Sequence, residues 1–108
     1  MWSLCLKKPT PIHWYAKDLK SSRVLILNRL GLHARPAMAF ASMAGSFTCS
    51  IKVHRMDNQE RVDGKSVMQM LMMACTQGTE IEIEADGVDA LEAIAALRQL
   101  VESKFEEE

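Results

Sequence analysis

The sequence carries almost no net charge, since 13 Lys and Arg residues face 14 Asp and Glu residues and leave a formal charge of −1. A protein that binds nucleic acid generally has an excess of basic over acidic residues, and this chain does not. Partners must therefore be recognised through local patches. No apolar run is long enough to cross a membrane, and Met1 to Leu6 is too short for the apolar core of a signal peptide.

Cysteine is also scarce. Cys5, Cys49 and Cys75 are an odd number, with neither close pairing nor the spacing of metal ligands. This pattern favours free thiols in a reducing compartment such as the cytoplasm, although a disulfide stays open. We interpret Cys49 and Cys75 as small buried hydrophobic residues. We expect no metal and no cofactor.

A chain of 108 residues has room for one domain with one modest core. Its 48% hydrophobic and 25% charged residues are typical of a globular protein. Pro9 and Pro11 interrupt any helix near the start, so residues 1–22 are predicted to be an irregular arm and residues 23–108 the domain. Trp2, Trp14 and Tyr15 could dock this arm; a disordered tail or a misassigned start codon is the preferred alternative.

Hydrophobic periodicity predicts the order strand, helix, two strands, helix, strand, helix. The clearest strand is Glu80 to Ala85, where apolar residues alternate strictly with glutamates. A sheet that is wet on one face is antiparallel, so four strands with three helices on one face predict an α+β open-faced sandwich. The predicted strands are Val24 to Leu27, Phe47 to His54, Glu60 to Asp63 and Glu80 to Ala85.

Three amphipathic helices complete the pattern. The first follows His33 and ends at Gly45 or Ser46, the second begins at a Ser66 cap, and the third opens with a capping box of Asp89 and Glu92. The predicted buried positions are Ala34, Ala37, Met38, Ala41 and Ala44 with Phe40 beside them, then Met70, Met73 and Ala74, and finally Ala90, Ile94, Leu97, Val101 and Phe105.

The segment Gly31-Leu32-His33-Ala34-Arg35-Pro36-Ala37 places an imidazole where a strand gives way to a helix. Pro36 suits a first helical turn, where the amide hydrogen that proline lacks has no intrahelical partner. Free amides and the positive end of the helix dipole would face an anion held on His33, and Arg35 adds a cation with a planar fork of donors. A neutral imidazole is a competent nucleophile near neutral pH. The plainer interpretation is that His33 is only a cap or a surface residue.

These residues resemble the active-site signature of HPr, the histidine-containing phosphocarrier family of the phosphoenolpyruvate-dependent phosphotransferase system (PTS). Gly64-Lys65-Ser66-Val67-Met68 is similar to the family's regulatory-serine segment, and Thr76-Gln77-Gly78-Thr79 is a third match. The three occur in the family's order and near its spacing, and the resemblance runs from about Arg23 to the C-terminus.

The resemblance implies a phosphocarrier rather than an enzyme with its own substrate. His33 would accept a phosphoryl group on Nδ1 from phosphorylated Enzyme I and pass it to a histidine of an Enzyme IIA domain. Arg35 would compensate charge, and the amides near Ala34 and Arg35 would cradle the phosphate. Ser66 would be a regulatory phosphorylation site for a kinase of the HPr kinase/phosphorylase type. Val67, Met68 and Leu71, here called the docking patch, would bind partner proteins; the alternative is that Met68 packs under the N-terminal arm. The protein would be a cytoplasmic monomer.

Two alternatives stay open. The relay could belong to the nitrogen-related branch of the system, which ends on regulatory proteins, or the chain could be an interaction module that carries no phosphate. Ser42 and Gly45 lack the basic residues that some family members use toward Enzyme I, and the hairpin around Asp57 to Gln59 is slightly longer than usual. These departures bear on the choice of partner and leave the histidine chemistry as it stands.

Overall fold

The alternating segment around Ile81 and Ile83 forms one of the two inner strands of the sheet. The computed structural model describes residues 19–106, and these contain four strands and three helices, followed by a 3₁₀ turn. The elements are β1 (Leu19–Leu25), α1 (Ala34–Gly45), β2 (Ser50–Arg55), β3 (Glu60–Asp63), α2 (Val67–Met73), β4 (Glu80–Asp86), α3 (Ala90–Glu102) and the turn Lys104–Glu106. The predicted element order is confirmed.

The sheet has the strand order β1-β4-β2-β3, and every pairing is antiparallel. β4 therefore lies between β1 and β2, with Ile81 opposite Val24 and Ile83 opposite Val53. Side chains of alternate residues point to opposite faces, so one face of the sheet collects the aliphatic residues and meets the helices. The predicted α+β open-faced sandwich is confirmed. The largest fully buried side chains include Phe40, Ile26, Ile51, Met70, Met73, Ile81, Ile83 and Leu97.

The face of the sheet opposite the helices, here called the outer face, carries charged side chains. Glu84 accepts a hydrogen bond from Arg61 at 2.6 Å and lies 3.3 Å from the His54 ring, while Arg23 lies 3.9 Å from Glu82. Exposed ion pairs of this kind contribute only about 0–1 kcal/mol each. The packed inner face is therefore the main source of stability. Within residues 19–106 each helix is too short or too polar to span a bilayer.

The first strand both begins and ends earlier than predicted, since it spans Leu19–Leu25 and not Val24 to Leu27. Leu19 to Ser22, which the sequence assigned to the arm, pair with Asp86 to Ile83 of β4. Ser22 can lie on the inner face of the sheet because its hydroxyl accepts a hydrogen bond from Arg98 of α3 at 3.0 Å. Pairing with β4 thus keeps this stretch in the sheet, although its polar composition does not favour a strand. Residues 1–18, with the tryptophans, Tyr15, Cys5 and His13, lie outside the described part of the chain.

Three expectations about local burial and strand length are wrong. In α1 the buried side is centred on Phe40, while Met38 is 57% exposed and Ala34 is also on the surface. Ala74 is exposed because it ends α2 in a left-handed conformation, with φ of 55°. The strand predicted from Phe47 begins only at Ser50. By contrast, all five core positions predicted for the last helix are buried, although Phe105 lies in the 3₁₀ turn that follows α3 and not in the helix.

The capping box predicted for α3 does not form. Asp89 is the N-cap residue, but its side chain makes no capping bond to the helix Ala90–Glu102. Its carboxylate instead accepts from the backbone amides of Thr48 at 2.8 Å and Cys49 at 2.9 Å, and from the Thr48 hydroxyl at 3.1 Å. These amides precede the β2 ladder and need an acceptor. Asp89 therefore joins the start of β2 to the start of α3.

Asp89 makes the free energy of unfolding depend on pH in the acid range. Its pKa is lowered, chiefly because the Thr48 amide donates to the ionised carboxylate, with further donation from Cys49. A lowered pKa in the folded state stabilises the protein above the unfolded pKa of about 3.9, and this contribution is lost as the pH falls through the folded value. Asp89→Ala should therefore be less stable than the wild type near neutral pH. Urea unfolding should show the difference shrinking below about pH 4. A constant difference across the acid range would contradict this assignment.

Candidate functional site

The junction between β1 and α1 presents His33 at a helix N-terminus, as predicted. His33 is the N-cap residue of α1, with an extended backbone (φ −82°, ψ −168°), and its side chain makes no capping bond to the helix Ala34–Gly45. The first helical hydrogen bond runs from the Ala37 amide to the His33 carbonyl at 2.9 Å. The amides of Ala34 and Arg35 precede this bond and so have no acceptor within the helix. Both residues are exposed, and His33 is half-buried.

The loop that leads to this junction, residues 26–32, is here called the entry loop. A pair of contacts closes it on itself: the Gly31 amide donates to the Asn28 carbonyl at 3.1 Å, and the Asn28 side-chain amide donates to the Gly31 carbonyl at 2.6 Å. Asn28 is completely buried. Gly31 has φ of +68°, a left-handed conformation that glycine adopts readily and other residues do not. The turn therefore fixes where the backbone arrives at His33.

A second loop, residues 74–79 between α2 and β4, holds the entry loop in place. The Leu32 amide donates to the Cys75 carbonyl at 2.9 Å, and the Gly78 amide donates to the Ile26 carbonyl at 2.8 Å. The third motif, Thr76-Gln77-Gly78-Thr79, lies in this loop, and only the family resemblance pointed to it. Periodicity gives no signal for such a contact, because it reports which side chains are buried and not which loops touch.

Ser66 is the N-cap residue of α2, as predicted, and its hydroxyl accepts from the Gln69 amide at 3.2 Å. Helix α2 packs against α1. Of the docking patch, Val67 and Leu71 are half-buried against the core, and Met68 is 69% exposed. The core positions Met70 and Met73 are confirmed.

The same two helices and the entry loop expose apolar residues that the sequence did not assign to a surface. Met38 of α1 is 57% exposed, Met72 of α2 is 73% exposed, and Leu30 in the entry loop is 68% exposed. Methionine is flexible and polarizable, and it suits a surface that accepts more than one partner. The regular helical spacing of Met38 had suggested burial, and only the packing against the sheet shows which side of α1 is covered.

Cys49 and Cys75, the two cysteines within residues 19–106, are buried, as expected from the sequence. Both thiols are free, and each is at most 3% exposed. Burial raises the pKa of Cys75 to about 11, and burial together with the nearby Asp89 carboxylate raises that of Cys49 to about 11. A protonated, covered thiol is a poor nucleophile, so neither of these cysteines is a candidate nucleophile.

Comparison with known proteins gives consistent matches. A family model described as "PTS HPr component phosphorylation site" matches residues 20–103. The phosphocarrier protein HPr of Neisseria meningitidis serogroup A is 44% identical over 89 residues, which cover 82% of this chain and 97% of that protein. The phosphocarrier protein NPr of Proteus mirabilis is 44% identical over 88 residues, covering 80% of this chain and 94% of the relative.

A solved structure agrees with these matches. The crystal structure of HPr from Thermoanaerobacter tengcongensis superposes with a TM-score of 0.77 at 40% identity, covering 82% of this chain and 98% of that one. The sandwich fold and the matching sequences define the class as a phosphoryl carrier of the phosphotransferase system, not a catalytic enzyme. Within that class, the chain belongs to the HPr family.

Proposed function

We propose that His33 is the residue that carries the phosphoryl group. Nδ1 would form a bond to phosphorus as the bond between phosphorus and its donor, phosphorylated Enzyme I, breaks. The group would then pass in the same way to a histidine of an Enzyme IIA domain. The observation that supports this is the position of His33 at the N-cap of α1, ahead of two amides that have no acceptor within the helix.

The surroundings of His33 suit a group that must be held briefly and then released. The amides of Ala34 and Arg35 and the positive end of α1 stabilise negative charge, and the Arg35 guanidinium adds donors in a planar fork. Ala34 and Arg35 lie on the surface. An exposed cradle with one arginine binds the phosphate less tightly than a deep pocket with several, and tight binding of the phosphorylated state would slow release.

Incubation with Enzyme I and labelled phosphoenolpyruvate tests the carrier proposal. We expect the protein to take up one acid-labile phosphate per chain, as a phosphohistidine would, and to lose it when an Enzyme IIA domain is added. A chain that bound Enzyme I without taking up label would be the interaction module instead.

We expect the carrier to act as a cytoplasmic monomer.

The nitrogen-related branch is a second candidate, because the relative named NPr is as similar to this chain as the Neisseria HPr. Ser42 and Gly45 are both exposed on α1, so the missing basic residues alter a surface that a partner would meet. The two branches are distinguished by offering the labelled protein a sugar-specific Enzyme IIA and a nitrogen-branch Enzyme IIA in parallel. The Enzyme IIA of the proper branch should be labelled at least ~10-fold faster, which is equivalent to about 1.4 kcal/mol in the activation free energy.

We further infer that Ser66 is a regulatory site, phosphorylated by a kinase of the HPr kinase/phosphorylase type, and that the docking patch beside it binds partners. Two phosphates about 10 Å apart in water repel by roughly 1–2 kcal/mol before salt screening, which only tunes the chemistry at His33. A charge next to the apolar contact made by Met68 has a larger effect, because an unpaired charge is costly to desolvate.

Ser66→Asp should therefore raise the KM of Enzyme I for this protein about tenfold, which corresponds to about 1.4 kcal/mol, while kcat changes less. Aspartate is a good N-cap residue, so α2 should persist. Ser66→Asn is the matched control, since asparagine caps equally well without charge. Steady-state transfer kinetics give both constants. Equal KM values for the two variants would refute the docking explanation.

A further inference from the structure

Arg55 is the last residue of β2, and its guanidinium joins the sheet to the end of α2. Nη1 donates to the Met73 carbonyl at 2.8 Å and to the Ala74 carbonyl at 3.3 Å. The last carbonyls of a helix have no intrahelical donor, so an arginine that reaches them satisfies groups that would otherwise need water. Arg55 thereby fixes the point at which the chain leaves α2.

The guanidinium is itself held in place. Its Nε donates to Asp57 Oδ1 at 2.7 Å and its Nη2 donates to Oδ2 at 3.2 Å, which is the paired arrangement that matches a carboxylate. The hydrogen bonds from Arg55 lower the pKa of Asp57. The Arg55 side chain is 20% exposed, whereas that of Asp57 is 57% exposed. Asp57 thus orients a largely covered arginine from the protein surface.

The backbone that Arg55 fixes is the backbone that holds the entry loop. Directly after Ala74, the Cys75 carbonyl accepts from the Leu32 amide at 2.9 Å. Gly31 also lies very close to Cys75. A Cβ placed on Gly31 would be only 2.4 Å from the same Cys75 oxygen. A shift of Cys75 must therefore move the residues that immediately precede His33 or break this hydrogen bond.

We propose that Arg55 is a positioning residue for His33, acting through the end of α2 and the Cys75–Leu32 hydrogen bond. It sets the position of the imidazole relative to the amides of Ala34 and Arg35 without touching the phosphoryl group. This inference rests on the proposed function of His33. Because transfer depends on alignment of the reacting atoms, a small displacement of the ring lowers the rate of the chemical step more than it lowers binding.

Arg55→Met tests the proposal with two measurements. In the first, amide hydrogen exchange of the unphosphorylated protein is followed by NMR, and the Leu32 amide should exchange at least ~10-fold faster than in the wild type, as expected for local opening. The Gly64 amide, which donates to the Ile51 carbonyl at 2.8 Å, serves as the reference and should change little. In the second, phosphoryl uptake from Enzyme I should show kcat reduced about tenfold and KM within about twofold.

Arg61→Met is the matched control, because Arg61 is also an arginine of the sheet but its guanidinium donates to Glu84 on the outer face. It should leave both measurements at wild-type values. Asp57→Asn keeps the guanidinium but removes the charge that orients it, and it should change both measurements in the same direction by a smaller factor; it provides the test if Arg55→Met does not fold.

The proposal is overturned if Leu32 and Gly64 exchange at unchanged relative rates in the Arg55 and Asp57 variants, or if the loss of uptake lies entirely in KM. A wild-type protein that takes up no phosphate would refute the proposed function instead. The exchange of Leu32 would still report whether Arg55 holds the entry loop, so the two failures are distinguishable.

Discussion

His33→Ala is expected to abolish the uptake of acid-labile phosphate from Enzyme I and labelled phosphoenolpyruvate. The loss should be complete, because in the proposed transfer the imidazole of His33 forms the bond to phosphorus. The two described cysteines are buried and protonated. The His33 side chain makes no capping bond to α1, so the start of the helix should persist in the variant. Urea unfolding should confirm that the variant is folded.

His54→Ala is the control for this experiment. His54 lies on the outer face, 3.3 Å from Glu84, and its replacement should leave uptake unchanged. Label that persisted in His33→Ala would contradict the proposed acceptor and direct attention to His13. Label lost from His54→Ala would mean that the outer face takes part in phosphoryl transfer.

Gly31→Ala is expected to cause a large loss of stability. At φ of +68° an alanine is strained, which costs about 1–2 kcal/mol, and its Cβ would lie 2.4 Å from the Cys75 carbonyl oxygen. Relief of that overlap requires backbone movement, at a further cost of about 1–3 kcal/mol. We expect a total of about 2–5 kcal/mol from urea unfolding. Phosphoryl uptake should fall as well, since Leu32 and His33 must shift.

Two other glycines separate the causes of this effect. Gly78 has φ of +89°, and a Cβ added there would meet no atom within 4 Å, so Gly78→Ala should show only the conformational cost of about 1–2 kcal/mol. Gly45 ends α1 in open space, and Gly45→Ala should be neutral or stabilise by up to about 1 kcal/mol. If Gly31→Ala cost no more than Gly78→Ala, the close contact with Cys75 would not constrain the entry loop.

The parts of the fold that could be predicted are those with a local chemical cause. The alternation of Ile81 and Ile83 with glutamates specifies a strand with one buried face, whatever surrounds it. Ser66 before an apolar run predicts a helix start because its hydroxyl reaches an amide three residues away. Pro36 and the residues around His33 predict the start of α1 for similar reasons. Each of these interactions spans fewer than ten residues of sequence.

The parts that could not be predicted depend on a distant partner. Asp89 resembles the first residue of a capping box, but the amides that it accepts belong to Thr48 and Cys49, 41 and 40 positions away. The stretch Leu19 to Ser22 looks like a polar arm until β4 is available to pair with it. Arg55 gives no sign in the sequence that it meets the end of α2.

The sequence by itself thus determined the order of the elements, the α+β class and the presence of a histidine at the head of a helix. These follow from backbone preferences and from the period of apolar residues, which act within a few residues of one another. Only the tertiary structure decided how the entry loop is held, which methionines reach the surface and which arginine fixes the end of α2. Those depend on contacts between segments far apart in the chain, and no local pattern encodes which of the available partners a side chain will meet.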